Sequence, residues 1–485
     1  MRYLFYVVII CWSSSLRAEN FNLTALGAIS DGKHLCTELI QTAIDRCSAS
    51  GGGTVTVPPG TFLTGTVFMK SHVNLFLENG AVLLGSTDVR DYKPRYLITA
   101  SGAENISITG GGTINGQGYL MWDRTGRTTF APGPATFVHR RPSTGNLIQL
   151  ENCSQVIIQD VTLRGSESWT LHLLACNDVQ VTGIRIRNHL HGPNTDGIDI
   201  QASRNVRITG CDIFTNDDAI VIKNRHPKYY GRIVENIVVT NCILTTVCNG
   251  FKIGTESMSD FRNIVFSNSV IKTARKEDEL AEVVVSFIDP DNYRDELAPI
   301  SGIALESVDG ANLQGVAISN IVMEGVRAPI FIRLANRGGG EQKVAVPVPG
   351  SLKDIIISNV VAYGASIPSS VTAIPGSYVE NVKLQGITIR TRGGGTREMA
   401  NVVPDEKIKS YPEAKMWGDL PASGFYIRHV KGLQIADVSI DVEENDRRPL
   451  VKFDDVVGLY VHNLQTNETC RGSSVLDFVN VKDVR

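Results

Sequence analysis

The amino-acid sequence predicts an all-β protein folded as a right-handed parallel β-helix, a solenoid of about ten to eleven coils with a short N-terminal capping helix. One strand-like phrase recurs along the chain, its copies follow at a solenoid period, and no helical pattern separates them. Repeats of this kind pack only on their neighbours, so a long chain need not divide into several domains. Leucine-rich repeats are the main alternative, but the Leu spacing and helical segments that they require are missing.

The recurring phrase consists of an apolar-x-apolar pair, two or three turn residues and a second short apolar stretch. An Asn or Asp usually stands one to three residues before it, and adjacent copies start 23 to 31 residues apart where no loop intervenes. At about 4.8 Å per coil the copies predict a rod roughly 50 Å long. The copies begin at Ile106, Val156, Val179, Val206, Ile237, Ile264, Val316, Ile355, Val382, Leu433 and Leu459.

The N-terminus is typical of a secretory signal peptide over residues 1–18. It has a positive start, an apolar core from Leu4 to Trp12 and a small residue at Ala18. We therefore expect a secreted or periplasmic protein, and we expect residues 19–485 to form a single parallel β-helix domain. The apolar core is too short to span a membrane, and no other segment is long enough.

A capping helix is predicted over residues 33–48. Apolar residues there recur at helical spacing, Asp31 is a candidate for the helix start, and three glycines from Gly51 end it. Such a helix would cover the first coil, whose core otherwise stays open.

Five insertions interrupt the repeats and are expected to gather on one face of the solenoid and form a groove. The insertions are 117–147, 274–300, 335–350, 362–378 and 391–425. Their aromatic residues either stack on sugars or pack the loops, and the sequence leaves both readings open. These aromatic residues include Trp122, Tyr293, Tyr411 and Trp417.

Composition limits the partners. The net charge is −3 and the isoelectric point is about 6.3, so neither nucleic acid nor a membrane surface is indicated. No phosphate-binding loop, dinucleotide fingerprint or zinc signature is present, and we expect no cofactor and no metal. Cys211 and Cys242 recur at one place in successive repeats and are interpreted as small buried hydrophobic residues.

The candidate functional carboxylates lie in the stretch from Gly192 to Lys223. Asp196 and Asp217 are 21 residues apart. If this spacing is one coil, the two positions stack, and Asp218 adds a third carboxylate. Two carboxyl groups, one protonated and one ionised, are the minimum for glycoside hydrolysis, and crowding raises one pKa. Ordinary Asx turns or a calcium site are the structural alternatives.

The sequence resembles glycoside hydrolase family 28, the polygalacturonase and rhamnogalacturonase family. The resemblance runs from AIDRCSASGGGTVTVPPGTF through WTLH at Trp169–His172 to NTDG and the Asp pair. It implies an inverting hydrolase of a galacturonate-containing pectic polysaccharide. Asp217 would be the general acid, Asp196 and Asp218 would activate water, and Asn194 would belong to the same cluster.

Two departures from the family pattern bear on the substrate. Asn249 stands where polygalacturonases carry the His of Gly-His-Gly, and Gly302–Gly310 lacks the expected Arg-Ile-Lys. Losing both cations removes a carboxylate clamp worth about 1.5–3 kcal/mol per hydrogen bond. The sequence therefore favours a bacterial-type enzyme directed at rhamnogalacturonan, at the galacturonate–rhamnose linkage, over a polygalacturonase acting on homogalacturonan.

Further substrate contacts are predicted in the coils around the Asp pair. Lys223 and Lys252 would bind a galacturonate carboxylate, Glu256 and Arg333 would line the same face, and Asp199 would brace the turn. We expect a monomer. Two hypotheses of another class stay open, a non-catalytic carbohydrate-binding β-helix and a calcium-dependent pectate-type lyase.

Overall fold

The structure is a computed structural model that describes residues 19–129, 135–139, 142–275, 297–338, 349–467 and 474–485. The predicted signal peptide (1–18) and Tyr293 lie outside the described residues.

The chain coils into a right-handed parallel β-helix with three faces, which confirms the predicted fold class. We call the faces sheets A, B and C. Sheet A contains the strands Glu19–Asn22, Gly53–Val57, Val73–Leu77, Glu104–Thr109, Ser154–Gln159, Asn177–Thr182, Arg204–Thr209, Val234–Thr240 and Lys482–Val484. Sheet B contains the strands Val67–Phe68, Tyr96–Ser101, Asn146–Glu151, Leu171–Leu174, Ile198–Gln201, Ile220–Asn224, Asn249–Ser257, Ser301–Ser307, Ala328–Leu334, Ser369–Thr372 and Leu476–Val479.

In the early coils sheet C contains strands of 3 to 5 residues. These are Asp31–Leu35, Gly60–Thr64, Ala81–Gly85, Thr113–Asn115, Thr162–Arg164, Arg185–Arg187, Asp212–Phe214 and Ile243–Thr245. Later strands bend from sheet A into sheet C, and the last two also include a part of sheet B. These long strands are Phe261–Lys272, Asn312–Glu324, Ser351–Ala365, Val379–Gly393, Phe425–Glu444 and Val451–Thr466.

The first apolar stretch of the recurring phrase forms the strand of sheet A, and the second forms or leads into the strand of sheet C. Copies of the phrase pair in register with the first residue of one beside the first residue of the next, as in Val206 with Ile237 and Ile237 with Ile264. The first and third residues of each copy face the interior; Val206 and Ile208 are buried, for example. Sheet A also continues beyond the phrases at both ends, where the strands Val73–Leu77 and Lys482–Val484 lack the full pattern.

The residue just before each phrase has a positive φ, which makes the bend into sheet A. Only Gly, Asn and Asp adopt this left-handed conformation readily. These residues are Asn105, Gln155, Asp178, Asn205, Asn236, Asn263, Gly315, Asp354, Asn381, Gly432 and Gly458. The asparagines also form a ladder between coils, because Asn236 donates to Asn205 (2.9 Å) and Asn263 donates to Asn236 (3.1 Å).

Helix α1 (Thr37–Ala49) caps the N-terminal end of the core, with Ile40, Ala43 and Ile44 buried against the first coils. The helix starts later than the sequence analysis predicted. Residues Asp31–Leu35 form a strand instead, and Cys36 is at the N-cap without a side-chain hydrogen bond. Asp31 accepts hydrogen bonds from the backbone of Lys33 and His34, so it stabilises a turn rather than the helix.

The other elements lie in the insertions and connections. The insertion at 117–147 forms an antiparallel hairpin of Trp122–Thr129 and Ala135–His139. The insertion at 391–425 contains helix α2 (Arg397–Ala400). Short 3-10 helices occupy Val89–Asp91, Gly118–Leu120 and Pro227–Tyr229.

The interior is filled by stacked aliphatic side chains with Phe251 and Phe266 stacked between them (ring centroids 4.5 Å apart). Cys211 and Cys242 are buried and unpaired as disulfides, which confirms their interpretation as core residues. Within the described residues no helix is long and apolar enough to cross a membrane.

The Asn ladder generates a stability prediction. Asn236→Val should lower the free energy of unfolding by about 2 kcal/mol, because a β-branched residue is strained at positive φ and two ladder hydrogen bonds are lost. Asn236→Gly keeps the conformation and should lose less. Thermal unfolding monitored by circular dichroism should rank wild type, Gly and Val in that order; a Val variant as stable as wild type would contradict the account.

Candidate active site

The three candidate carboxylates lie in the turns that lead into two neighbouring strands of sheet B. The strands Ile198–Gln201 and Ile220–Asn224 pair with Ile198 beside Ile220. Asp196 is therefore beside Asp218, and the N–H of Gly197 donates to the carbonyl of Asp218 (2.9 Å). The predicted stacking of Asp196 on Asp217 is wrong by one residue, because the coil at this point is one residue longer than the motif spacing.

Gly197 is required by this close approach of the two turns. A Cβ atom at position 197 would lie 2.4 Å from the carbonyl oxygen of Ala219, which is closer than any side chain tolerates. The Gly of NTDG therefore lets the two Asp-bearing turns pack against each other.

Lys223 compensates the charge of the cluster from inside it. Its Nζ lies 2.7 Å from Oδ2 of Asp196 and 2.7 Å from Oδ1 of Asp199, and it sits over the ring of Trp169 (4.1 Å). The side chain is only 7% exposed. The structure thus places Lys223 behind the aspartates, and Asp199 braces Lys223 rather than only the turn.

Asn249 and Lys252, one coil further on, hold Asp218. Nδ2 of Asn249 donates to Oδ1 of Asp218 (2.7 Å), and Nζ of Lys252 lies 3.3 Å from its Oδ2. Both side chains are almost fully buried. Asn249 is therefore a neutral donor that orients Asp218.

Asp217 is the partly exposed carboxylate of the cluster. Nδ2 of Asn194 lies 3.5 Å from its Oδ2, and Asn194 itself is exposed in the left-handed conformation. Desolvation, together with the charges of Asp196 and Asp218, raises the pKa of Asp217 well above its usual value. Asp217 is thus suited to carry a proton that it can donate.

Asp196 is placed to act as an acceptor, the opposite of the proton-donor role for which Asp217 is suited. Its Oδ2 is bonded to Lys223, while its buried Oδ1 has no hydrogen-bond partner among the described residues. An oxygen of this kind can accept a hydrogen bond from a water molecule. The cluster therefore combines a proton donor with acceptors for water.

Acidic residues that the sequence analysis did not single out surround this cluster. Glu306 is buried, accepts a hydrogen bond from Thr255 (2.8 Å) and lies near Lys252. Burial raises the pKa of Glu306 to about 8, although the charge of Lys252 opposes the shift. The predicted Glu256 lies nearby, and its carboxylate is 3.2 Å from Arg225. The charges of Lys223, Arg225 and Lys252 outweigh burial and lower the pKa of Glu256.

The C-terminal insertion (391–425) packs on the coils that follow the Asp pair. Ala414 is buried with Cys248, Ala304 and Phe331, and the ring of Tyr411 is 5.6 Å from Nζ of Lys252. The insertion therefore brings the neighbouring Glu413 to the cluster. No local sequence signal could have identified Glu413, because it is far away in the sequence and carries no motif.

Arg333 does not join the carboxylates. It is buried and donates to the carbonyl oxygens of Ala373 and Glu406, with its guanidinium 5.3 Å from the ring of Trp417. Its contacts anchor the C-terminal insertion, and its predicted role as a substrate contact stays a prediction.

The N-terminal insertion (117–147) packs on the other side of the cluster. Nε1 of Trp122 donates to the carbonyl of Glu167 (2.9 Å), and its ring lies edge-on to His189 (6.0 Å). A Cβ atom at Gly192 would lie 2.6 Å from the Trp122 ring. Trp122 therefore packs the loop before NTDG, and the two insertions stand on either side of the aspartates.

Among the residues that the structure describes, one group could hold a metal ion. The ligand atoms of Asp217, Asp218 and Cys248 lie within 4.8 Å of one another. Both oxygens of Asp218 already face Asn249 and Lys252, and burial raises the pKa of the Cys248 thiol, which disfavours the thiolate that a metal needs. The donor set fits a metal poorly, and no metal role is assigned.

A parallel β-helix with a carboxyl group of raised pKa beside carboxylates that can accept from water is the arrangement expected of an acid–base hydrolase of glycosides. Residues 47–277 match the family described as Glycosyl hydrolases family 28. This segment contains Asp196, Asp217 and Asp218, and its match agrees with the family that the sequence resembles. The match covers slightly less than half of the chain.

Similar proteins and structures agree with this family. The chain is 34% identical over 250 residues to a probable polygalacturonase of Vitis vinifera, covering 46% of this chain and 49% of that protein. It is 26% identical over 272 residues to a polygalacturonase of Gossypium hirsutum, covering 50% of this chain and 64% of that protein. The chain thus spans between about half and two thirds of the length of these curated relatives.

Solved structures share the fold. An exopolygalacturonase from Thermotoga maritima has a TM-score of 0.61 at 19% identity, covering 93% of this chain and 92% of that chain. A family 28 exopolygalacturonase from Yersinia enterocolitica has a TM-score of 0.58 at 19% identity, covering 97% and 78%. At this identity the likeness concerns the fold alone.

The buried position of Lys223 generates a second prediction. Lys223→Met should destabilise the protein by about 3–5 kcal/mol, because it leaves Asp196 and Asp199 buried without a counter-charge. Adding Asp199→Asn should restore part of the loss. Thermal unfolding of both variants at neutral pH measures the effect, and a fully stable Lys223→Met protein would show that Lys223 does not compensate the cluster.

Glu306 gives a pH-dependent prediction. Its pKa is raised from 4.5 to about 8 on folding, so between these pH values the folded protein keeps a proton that the unfolded chain releases. The contribution of Glu306 to the free energy of unfolding is therefore fully present below pH 4.5 and is lost as the pH rises through about 8. Glu306→Gln should flatten that loss in melting temperatures recorded from pH 5 to 9, with the exposed Glu398→Gln as the control; unchanged slopes would contradict it.

Proposed function

We propose that this protein is an inverting glycoside hydrolase that cleaves galacturonate-containing pectic polysaccharide. The observation that carries the proposal is the pairing of Asp217, whose raised pKa suits a proton donor, with the lysine-compensated Asp196 and Asp218. The family match of residues 47–277 and the relatives named as polygalacturonases support a galacturonate-containing substrate.

In the proposed mechanism Asp217 donates its proton to the glycosidic oxygen as the bond to the anomeric carbon breaks. A water molecule held by Asp196 and Asp218 attacks that carbon from the opposite side, and one of these carboxylates takes the proton of the water. Lys223 and Lys252 stabilise the two acceptors in the absence of substrate. One attack by water inverts the anomeric configuration.

Rhamnogalacturonan is the preferred substrate in this proposal. Asn249 is neutral and engaged with Asp218, and Lys252 is paired with the same carboxylate, so neither replaces the missing clamp for a second galacturonate. A neutral rhamnose beside the cleaved bond does not need that clamp.

Homogalacturonan is the second candidate. The names of the relatives favour it. We also propose that the protein is secreted to the periplasm or outside the cell, and that it is a monomer.

Asp217→Asn should lower kcat by at least about 100-fold, because general acid catalysis contributes roughly 10²–10⁴-fold. Its melting temperature should not fall, since a crowded carboxylate is removed. Reducing-sugar release from pectic oligosaccharides measures the activity, and turnover close to that of wild type would remove Asp217 from the mechanism.

Product analysis tests the reaction and the substrate together. Homogalacturonan and rhamnogalacturonan oligosaccharides are digested side by side, and the first products are followed by proton NMR. We expect saturated products with inverted configuration and faster cleavage of rhamnogalacturonan. Retained configuration would overturn the mechanism, unsaturated products would indicate a lyase, and tight binding without any turnover would favour a carbohydrate-binding protein.

A further inference from the structure

Glu413 is a buried acid that the proposed mechanism does not use. It lies in the C-terminal insertion, outside the residues that match the family. Its side chain is only 4% exposed, and its Oε2 has no hydrogen-bond partner among the described residues. Leaving a buried polar atom without a partner costs about 1–3 kcal/mol, so its position needs an explanation.

Packing fixes Glu413 beside the candidate active site. The next residue, Ala414, is buried against Cys248, whose sulfur lies within 4.8 Å of ligand atoms of Asp217 and Asp218. The preceding Tyr411 faces Lys252. The insertion therefore holds Glu413 beside the Asp pair, on the side of the coil that follows the pair in the sequence. The contacts of Tyr411 and Ala414 hold the backbone before and after Glu413.

The surroundings of Glu413 are mixed in charge. Lys252, Lys415 and Arg327 are the cations that act on it, and Asp218 is the acid. Lys252 is already paired with Asp218 at 3.3 Å. Asp218 is therefore the ion-pair partner of Lys252, and Glu413 acts on that lysine without an ion pair to it among the described contacts.

We propose that Glu413 is a sugar-binding residue whose carboxylate accepts hydrogen bonds from hydroxyl groups of the sugar unit on the C-terminal side of Asp217. This inference rests on the proposed function and adds to it a recognition residue from the insertion. Carboxylates are strong acceptors, and a sugar hydroxyl group offers the donor that Oε2 of Glu413 lacks. The chemical class of the ligand is a hydroxyl-bearing pyranose unit of the polysaccharide.

A binding role and a structural role predict opposite effects on stability. If Glu413 supported the fold, Glu413→Gln would lower the melting temperature. If it is reserved for substrate, neutralising a carboxyl group that is buried and lacks a hydrogen-bond partner at Oε2 should leave the melting temperature equal or raise it. The binding role also predicts a change in KM with little change in kcat, because the contact lies away from the reacting atoms.

The experiment measures KM, kcat and melting temperature for wild type, Glu413→Gln and the control Glu398→Gln, an exposed acid of the same insertion. The pectic oligosaccharide is the one that wild type cleaves best. We expect the KM of Glu413→Gln to be about tenfold higher than that of wild type, because one charge-assisted hydrogen bond to the sugar is lost. The melting temperature should not fall. Glu413→Asp, which keeps the charge but withdraws the oxygens, should also raise KM.

Titration calorimetry of the same oligosaccharide with Asp217→Asn and with Asp217→Asn/Glu413→Gln checks binding without turnover. Equal affinities, or a KM within twofold of both wild type and Glu398→Gln, would overturn the role of Glu413 while leaving the proposed function intact. A lower melting temperature with unchanged KM would assign Glu413 to the fold. If wild type cleaves no pectic oligosaccharide, the proposed function fails, and this inference fails with it.

Discussion

Parallel pairing between neighbouring coils, about 4.8 Å apart, is the constraint on which the rest of the structure depends. It puts equivalent residues of successive coils in contact, so residues at the same position of each coil stack in a column along the axis of the β-helix. In the bends before sheet A this contact is favourable, because Asn205, Asn236 and Asn263 donate to one another while their positive φ turns the chain. In the turns before sheet B the same rule brings Asp196 against Asp218, where it creates a cost.

That cost is offset by lysines from the same coils. Lys223 contacts both Asp196 and Asp199, and Lys252 contacts Asp218. Each lysine is buried, so the charges stabilise one another at low dielectric while Asp217 is left with a raised pKa at the edge that solvent reaches. The asymmetry of the cluster lies in its contacts, because lysines bind Asp196 and Asp218 whereas Asp217 meets Asn194; burial raises the pKa of Asp196 as well as that of Asp217. The same contacts explain why neither lysine is an exposed substrate clamp.

The repeated phrases were sufficient to predict sheet A, because a two-residue alternation and an Asn at each bend are local signals. The motif spacing identified Asp196, Asp217 and Asp218 but misjudged their register, since a coil can gain a residue in a turn without changing its strands. The helix start was also wrong, because Asp31 forms a turn in a strand that pairs with Thr61 of the next coil. Glu306 and Glu413 were missed, since their proximity to Lys252 has no counterpart in local sequence.

The sequence by itself determined the fold, the sheet that carries the recurring phrase, and the three aspartates with the lysines that follow them. Only the tertiary structure decided which carboxylates touch, which lysine each one meets, and that the insertion carrying Ala414 packs against Cys248. The physical reason is that hydrophobic periodicity acts over a few residues, whereas charge pairing and insertion packing depend on register across coils and on contacts between segments more than a hundred residues apart in the chain.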